Sequence, residues 1–286
     1  MKIKMAGATG YLGNKVSNEL KKAGHEVSGI SRKLLYAPVE ELKNDLAGAD
    51  AVYFLAGAPI LQRWTEKNKK EIYDSRVITS RNIAAAILAM KPDERPGKVI
   101  SASAVHIYET GKTHDESSTD FNAGFEGTVL KDWENAWKKL PGNVKLTIFR
   151  IGLVLGAEAE TIKKMLLPFK MGIGGQIGNG KQPFPFVHEN DVARAFAWAL
   201  ENENAKGAYN LTAPDMITNK EFTKALAGEL NRPAFFAVPG FALKLAFGEA
   251  SVLIIESPAV VPSRLKQSDF RFQYPDIKST LKEIVR

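Results

Sequence analysis

The residues best suited to chemistry stand at the start of the chain. Gly7, Gly10 and Gly13 recur at intervals of three, between an apolar run at 3–6 and a stretch at 12–23 in which Leu12, Val16, Leu20 and Ala23 share one helical face. Strand, turn and helix in that order can make an anion site. Gly7 permits a sharp exit from the strand, Gly10 lets backbone approach a pyrophosphate, and Gly13 lets the helix pack close to the sheet. The helix start offers unpaired N–H groups and a positive dipole end to the phosphates. An ordinary tight turn is the competing reading, weakened by the motif's place at the first strand of an alternating chain. Ser31, Arg32 and Lys33 then follow the second apolar run, 27–30, where an adenosine ribose is expected. An NAD site places a carboxylate there to accept from the 2′-hydroxyl. A hydroxyl and two cations suit a 2′-phosphate instead, with Arg32 stacking on adenine or gripping the phosphate. Against a solvated basic turn, this favours NADP(H).

Such residues need a sheet to hold them. Apolar runs at 3–6, 27–30, 51–56, 99–103 and 146–155 alternate with helical patterns, which predicts an α/β fold, a doubly wound parallel sheet with helices on both faces. Gly24 reads as the stop of the first helix. Lys4 is out of place in a strand buried on both sides. After Gly156 the rhythm changes. A Gly/Pro-rich run at 171–185 precedes Phe186-Val187-His188, a helix at 191–200 with Asp191 as its cap, a short strand at 209–212, and a capping box of Thr218 and Glu221. This predicts a dinucleotide-binding domain over 1–155, joined by 186–213, and a smaller discontinuous lobe from 156–185 and 214–286.

The glycine spacing resembles the extended short-chain dehydrogenase/reductase superfamily. Further segments are similar to one atypical branch, the sugar-nucleotide-epimerase-like family that ends in a domain of unknown function. They are Leu55-Ala56-Gly57, Arg63-Trp64-Thr65, Asp74-Ser75-Arg76-Val77, Ser101-Ala102-Ser103-Ala104-Val105, residues 150–156, Gly178-x-Gly180-Lys181-Gln182 and Val187-His188-x-x-Asp191. Residues 210–286 look like the closing domain. The resemblance implies that Gly7, Thr9, Gly10, Tyr11 and Leu12 meet the cofactor, and that Leu55-Ala56-Gly57, after the fourth strand, lies along it. Glu71 and Arg76 either face cofactor or pocket, Arg76 pairing with phosphate, or form a helix-surface charge pair. Ser101 and Ala102 line the carboxyl edge at the end of the fifth strand, and Ser103 takes the position of the superfamily's catalytic hydroxyl. Ile151, Gly152 and Leu153, after the sixth strand, wall the nicotinamide.

One departure matters. These enzymes normally carry Tyr-x-x-x-Lys on one helix, where the lysine lowers the tyrosine's pKa and the phenolate exchanges a proton with substrate. The corresponding helix falls within 125–134 and holds no tyrosine. Gly127 stands four residues before Lys131, and Tyr108 precedes the helix. Of the polar groups nearby, Tyr108 reads as a packed ring with its hydroxyl at the rim, and Glu126 and Lys131 as solvated helix charges. Only Ser103 is carried forward as catalytic.

Composition excludes several other chemistries. Zero cysteines among 286 residues rule out a disulfide scaffold, thiolate metal sites and a cysteine nucleophile, and four scattered histidines make a metal site improbable, so none is assigned. The net charge of +7, from 39 basic and 32 acidic residues, favours anionic ligands, but the lysines are not clustered with aromatics as nucleic-acid binding demands. Lys244, Glu249 and Glu256 interrupt the most apolar stretch, 241–261, so no membrane partner is expected. A strand starting at Ile3 leaves no room for a targeting peptide, and the expected compartment is the cytoplasm. Between 172 and 180 five glycines form a strip that either drapes over a substrate or is simply a flexible loop. Lys181 and Gln182 are placed to meet a nucleotide-sugar pyrophosphate or hydroxyls. The expectation is a monomer or homodimer that holds NADP(H) and acts, as an epimerase-like oxidoreductase, on a small polar substrate such as a nucleotide sugar. The alternative is an NADPH-binding sensor that turns nothing over.

Overall fold

A computed structural model describes residues 1–285. Its first half runs β1 (Lys2–Ala6), α1 (Tyr11–Lys22), β2 (Glu26–Ile30), α2 (Val39–Leu46), β3 (Ala51–Phe54), α3 (Glu66–Tyr73), α4 (Thr79–Ala89), β4 (Lys98–Ala104), the two-residue β5 (Thr113–His114) and α5 (Phe125–Ala136). Then come β6 (Lys145–Ile151), β7 (Leu153–Leu155), α6 (Glu160–Lys170), β8 (Gly175–Ile177), β9 (Phe186–His188), α7 (Glu189–Glu201), β10 (Gly207–Leu211) and α8 (Asn219–Glu229). The tail holds β11 (Phe236–Val238), α9 (Gly240–Phe247), α10 (Val252–Ile255), β12 (Ala259–Val260), α11 (Ser263–Gln267) and α12 (Ile277–Ile284).

Six parallel strands form the central sheet in the order β10-β6-β4-β3-β1-β2. One face packs Leu42, Ile83, Ile87, Leu130, Trp133 and Trp137 against Val52, Phe54 and Val99. The other packs Val16 and Leu20 of α1 and Val192 and Phe196 of α7 against Ile3, Met5, Tyr53 and Phe149. Both faces are therefore covered, which explains the nearly continuous apolar strands. From β1 the chain steps outward to β2 and then returns to the other side of β1 for β3, so the order reverses there. In open α/β sheets such a reversal is where ligands bind, outside the carboxyl ends of the strands, here those of β1 and β3.

Several expectations need correction. Residues 31–50 contain only a 3-10 turn and α2, too little for another strand–helix unit. Leu55-Ala56-Gly57 thus follows the third strand, Ser101–Ser103 lies in the fourth, and Ile151 ends β6, the fifth strand of the central sheet in chain order. The run expected at 146–155 is two strands. Gly152 sits so tightly against the chain that a Cβ there would lie 2.6 Å from the Pro185 carbonyl. Its N–H bonds the Leu211 carbonyl while Leu153 N–H bonds Pro185, so β7 leaves the main sheet and pairs with β9. Lys4 is accommodated by Asp45 at 3.0 Å. The cap of α7 is His188, whose Nδ1 accepts from Asn190 N–H, and not Asp191. Asp191 is fully buried and accepts the backbone N–H groups of Gln273 and Tyr274, binding the tail to α7. The capping box at Thr218 forms as predicted, with both reciprocal bonds present. Leu265 and Phe270, expected in the distal lobe, pack in the core beside Ile3 and Phe149.

Candidate functional site

The glycine turn is built as a cradle. Gly7 has φ +85° and lies so close to the next loop that a Cβ would sit 2.7 Å from the backbone of Leu55 and Ala56. At Gly13 a Cβ would fall 1.9 Å from the Gly7 carbonyl, so only glycine lets α1 meet the turn. Gly10 N–H bonds Gly7 O at 3.0 Å, and Gly10 is the N-cap of α1 with no side-chain cap. No acidic residue occupies the first turn, and Thr9 and Gly10 are exposed, so the helix start keeps its positive field for an anion. The Tyr11 hydroxyl donates to Glu189, which also takes Lys15 at 3.1 Å, and this pins α1 to α7 beside the turn. Leu12 packs against the core formed by α1 and α7.

At the end of β2, Ser31, Arg32 and Lys33 are all exposed. Ser31 Oγ accepts from Leu34 N–H, and Arg32 Nη2 reaches Glu71 Oε1 at 2.9 Å. Glu71 and Arg76 are therefore not a pair with each other. The chain winds from α3 into α4 through a π-helical stretch, Asp74–Ile78, which turns Arg76 inward. Arg76 donates to the carbonyls of Ile72 and Ala58 at 3.2 and 3.0 Å, and its guanidinium lies against Gly57 and 5.7 Å from the centre of the Trp133 ring. Burial lowers its pKa to about 10, which leaves it cationic at neutral pH. Arg76 thus ties the loop that follows β3 to the stretch between α3 and α4 through the Ala58 carbonyl.

Ser101 Oγ faces the core, where it accepts from Trp137 Nε1 and donates to the carbonyl of Ala102. Ser103 stands directly across from Arg150 in the β4–β6 register. Its Oγ donates to Glu134 Oε1 at 2.8 Å, and Glu134 in turn takes Arg150 Nε at 2.9 Å and Nη2 at 2.7 Å. Burial by itself would lower the Arg150 pKa, but the Glu134 carboxylate and the Tyr108 hydroxyl hold it above the ordinary value. Arg150 Nη1 donates to Tyr108 Oη, which donates to Asn210 Oδ1. Tyr108 is thus fully buried and its hydroxyl is in a network, not at a rim. Ile151 is buried under the sheet edge, with Gly152 and Leu153 beside it at partial exposure.

Sequence reasoning missed Glu134 and Arg150, and it misplaced Glu126. A charged residue inside the apolar run 145–151 was the available signal for Arg150. Glu126 is 4% exposed, takes Asn122 Nδ2 at 2.9 Å, and lies in the first turn of α5. The same Asn122 amide reaches the His106 carbonyl at 3.3 Å. His106 Nε2 is buried with no hydrogen-bond partner, and burial keeps the imidazole pKa below its usual value despite the Glu126 charge nearby. Lys131 is exposed as expected. Trp64 contacts Phe125 at 5.0 Å, and Arg63 donates to the carbonyls of Leu245 and Ala246, which seats α9 beside the loop that follows β3. Among the described residues no group of three or more His, Cys, Asp or Glu side chains could hold a metal, and no helix is long and apolar enough to cross a membrane.

A parallel sheet whose glycine turn meets the backbone of the loop after β3, at the point where strand order reverses, defines a Rossmann-type dinucleotide-binding protein. More narrowly, the chain belongs to the NAD dependent epimerase/dehydratase family, which matches residues 3–212, and residues 238–284 match a domain of unknown function, DUF1731. It is similar to the epimerase family protein SDR39U1 of Mus musculus, 34% identical over 295 residues that cover 100% of both chains. The crystal structure of human epimerase family protein SDR39U1 (isoform2) with NADPH superposes with a TM-score of 0.92 at 33% identity, covering 99% of each chain. UDP-N-acetylglucosamine 4-epimerase from Bacillus cereus shares the fold, with a TM-score of 0.76 at 20% identity over 99% of this chain and 98% of that one.

Proposed function

We propose that this chain binds NADP(H) outside the carboxyl ends of β1 and β3, and acts as an epimerase- or dehydratase-like oxidoreductase on a small polar substrate, a nucleotide sugar being the favoured class. The observation that carries the reading is the end of β2. The turn that follows β2 carries no carboxylate of its own to accept from a ribose hydroxyl, and an exposed guanidinium stands there, paired with Glu71 from α3. The uncapped start of α1, with Gly7, Thr9, Gly10, Tyr11 and Leu12, holds the diphosphate through backbone N–H groups. Ser31 and Arg32 hold the 2′-phosphate, and Leu55, Ala56 and Gly57, propped by Arg76, lie along the ribose. Ser101 and Ala102 form the floor of the carboxyl edge, and Ile151, Gly152 and Leu153 wall the nicotinamide end. What such a bound group supplies is hydride donation and acceptance.

Ser103 remains the residue assigned to the substrate oxygen. Its hydroxyl donates a hydrogen bond to Glu134, so as it stands it presents lone pairs to a ligand and acts as acceptor for a hydroxyl. The human SDR39U1 structure with NADPH supports the cofactor, and the family supports the reaction class. A second reading, an NADPH-binding sensor without turnover, is favoured by one set of facts. Helix α5 carries no tyrosine, Tyr108 is locked between Arg150 and Asn210, and Ser103 already has a partner. Titration with NADPH and NADH tests the cofactor, and equal affinity would overturn it. Screening carbonyl compounds and nucleotide sugars by NADPH absorbance together with product analysis separates the enzyme from the sensor. Full turnover in Ser103→Ala would remove that residue from the mechanism.

A further inference from the structure

We infer that Glu71 is a built-in competitor for Arg32, and that its carboxylate sets how strongly the site prefers a dinucleotide with a 2′-phosphate over one without. The inference rests on the NADP(H) reading above. Arg32 leaves the end of β2 and Glu71 sits on α3, yet they meet at 2.9 Å with side chains 74% and 42% exposed. An ion pair so open to water is weak and exchanges partners readily. Its surroundings show why Arg32 is the one cation Glu71 holds among the described residues. The neighbouring Lys70 is paired with Asp74, and Tyr36, half-exposed on the turn after Lys33, is the remaining ionisable group of the cluster.

Arg32 offers five N–H donors in a planar fork, of which the pair uses one. A phosphate monoester with nearly two charges takes that fork better than a carboxylate does. Binding it costs the loss of Glu71 as partner and brings two anions close together. A ribose hydroxyl makes neither demand, and Glu71 then stays on Arg32. The carboxylate therefore weakens the phosphorylated ligand selectively, and keeps the guanidinium in place when no phosphate is present.

The test is calorimetric titration of the full chain and of Glu71→Gln, Arg32→Met and the double variant. The ligands are NADPH, NADH and two fragments that carry only the adenosine end, 2′,5′-ADP and 5′-AMP. Glu71→Gln is expected to tighten NADPH and 2′,5′-ADP about three- to tenfold at low salt, less at high salt, and to leave NADH and 5′-AMP within about twofold. In the Arg32→Met background the Glu71 effect should shrink to simple charge repulsion, about twofold. Weaker NADPH binding in Glu71→Gln, or equal gains for all four ligands, would overturn the competition. If the unaltered chain binds NADH as tightly as NADPH and Arg32→Met changes neither, the NADP(H) reading itself fails and takes the inference with it. Unchanged melting temperatures of the variants exclude unfolding as the cause of any loss.

Discussion

Ser103 donates its hydroxyl hydrogen bond to Glu134, and that makes two neighbouring residues separable by experiment. Glu134 holds Ser103 Oγ and two nitrogens of Arg150, whose side chain is 7% exposed, and the chain of bonds runs on through Tyr108 to Asn210. Ser103→Ala removes one hydrogen bond of about 1 kcal/mol, whereas Glu134→Gln leaves a buried guanidinium uncompensated, at about 3 kcal/mol or more. Urea unfolding midpoints should separate the two variants clearly, and equal losses would sink the network as described. A second residue sets a pH dependence. Burial, and then the charge of Lys15, hold His188 at a pKa of about 4 against 6.5 when unfolded, and its Nδ1 accepts from Asn190 N–H as the cap of α7. The folded value is the lower one, so the unfolded chain takes up the proton first as pH falls. Stability from this group is complete above 6.5, is lost between 6.5 and 4, and changes no further below that, a loss of roughly 3 kcal/mol. His188→Asn, which retains a capping oxygen, should flatten that part of the pH–stability curve measured by denaturant titration. The position of Ser31 and Arg32 at the end of β2, and of the glycine triplet between β1 and α1, could be read from residue type and spacing. The partners of Ser103 could not, because Glu134 and Arg150 come from other elements and meet it only through the register of β4 with β6.

At the scale of elements, the strands were legible where an apolar run fills a whole strand, and failed where a backbone contact overrides the pattern. Residues 146–155 read as one strand because they are mostly apolar, with Arg150 the one charged exception, and the contact of Gly152 with the Pro185 carbonyl diverts the chain to β9. The inward turn of Arg76 was hidden for a similar reason. An ordinary α-helix sets residues five apart about 140° from each other, so spacing alone did not aim Arg76, and the π-helical stretch Asp74–Ile78 changes its phase again. The strand–turn–helix order of β1 and α1 was correctly read, and the close approach at Gly7 and Gly13 explains why glycine stands at both. That junction gives a sharp test. A methyl group at Gly13, 1.9 Å from the Gly7 carbonyl, must push α1 off the turn, so Gly13→Ala should cost about 1–3 kcal/mol of stability and at least tenfold in NADPH affinity. Gly48→Ala is the control. Its φ of +72° brings a strain cost too, but no atom lies within 4 Å of the new Cβ and the site is remote from the cradle. NADPH affinity should survive there, and parallel losses in the two variants would show that the cradle is not the binding element.

Across the whole molecule, the tail is not an appendage to a finished nucleotide-binding domain. β12 pairs with β5, Glu116 accepts the backbone N–H groups of Asn210 and Arg264, and the Arg264 guanidinium stacks 4.0 Å over the Tyr209 ring. Leu265 at 0% and Phe270 at 5% exposure fill the same core as Ile3 and Phe149, while Ile277, Leu281 and Ile284 close a second core with Phe222 and Leu226. Each fully buried side chain of this size contributes about 1.5–3 kcal/mol, so Leu265 and Phe270 together supply about 3–6 kcal/mol. A domain's whole stability is only about 5–15 kcal/mol. A chain truncated after Pro262 should therefore be insoluble or lack a cooperative melt, although it keeps the entire cradle and all six strands of the sheet. In the full chain one cooperative transition is expected, raised by NADPH at a hundred times its dissociation constant by about 2.7 kcal/mol. Asp191→Asn tests the same coupling without deletion. One of its two amide atoms must face a buried N–H of Gln273 or Tyr274 with another donor, so the tail should become cleavable by protease while α1 and the glycine turn remain protected. If the truncated chain melts cooperatively and binds NADPH like the full one, the two halves fold independently and the coupling through Asp191 carries no weight.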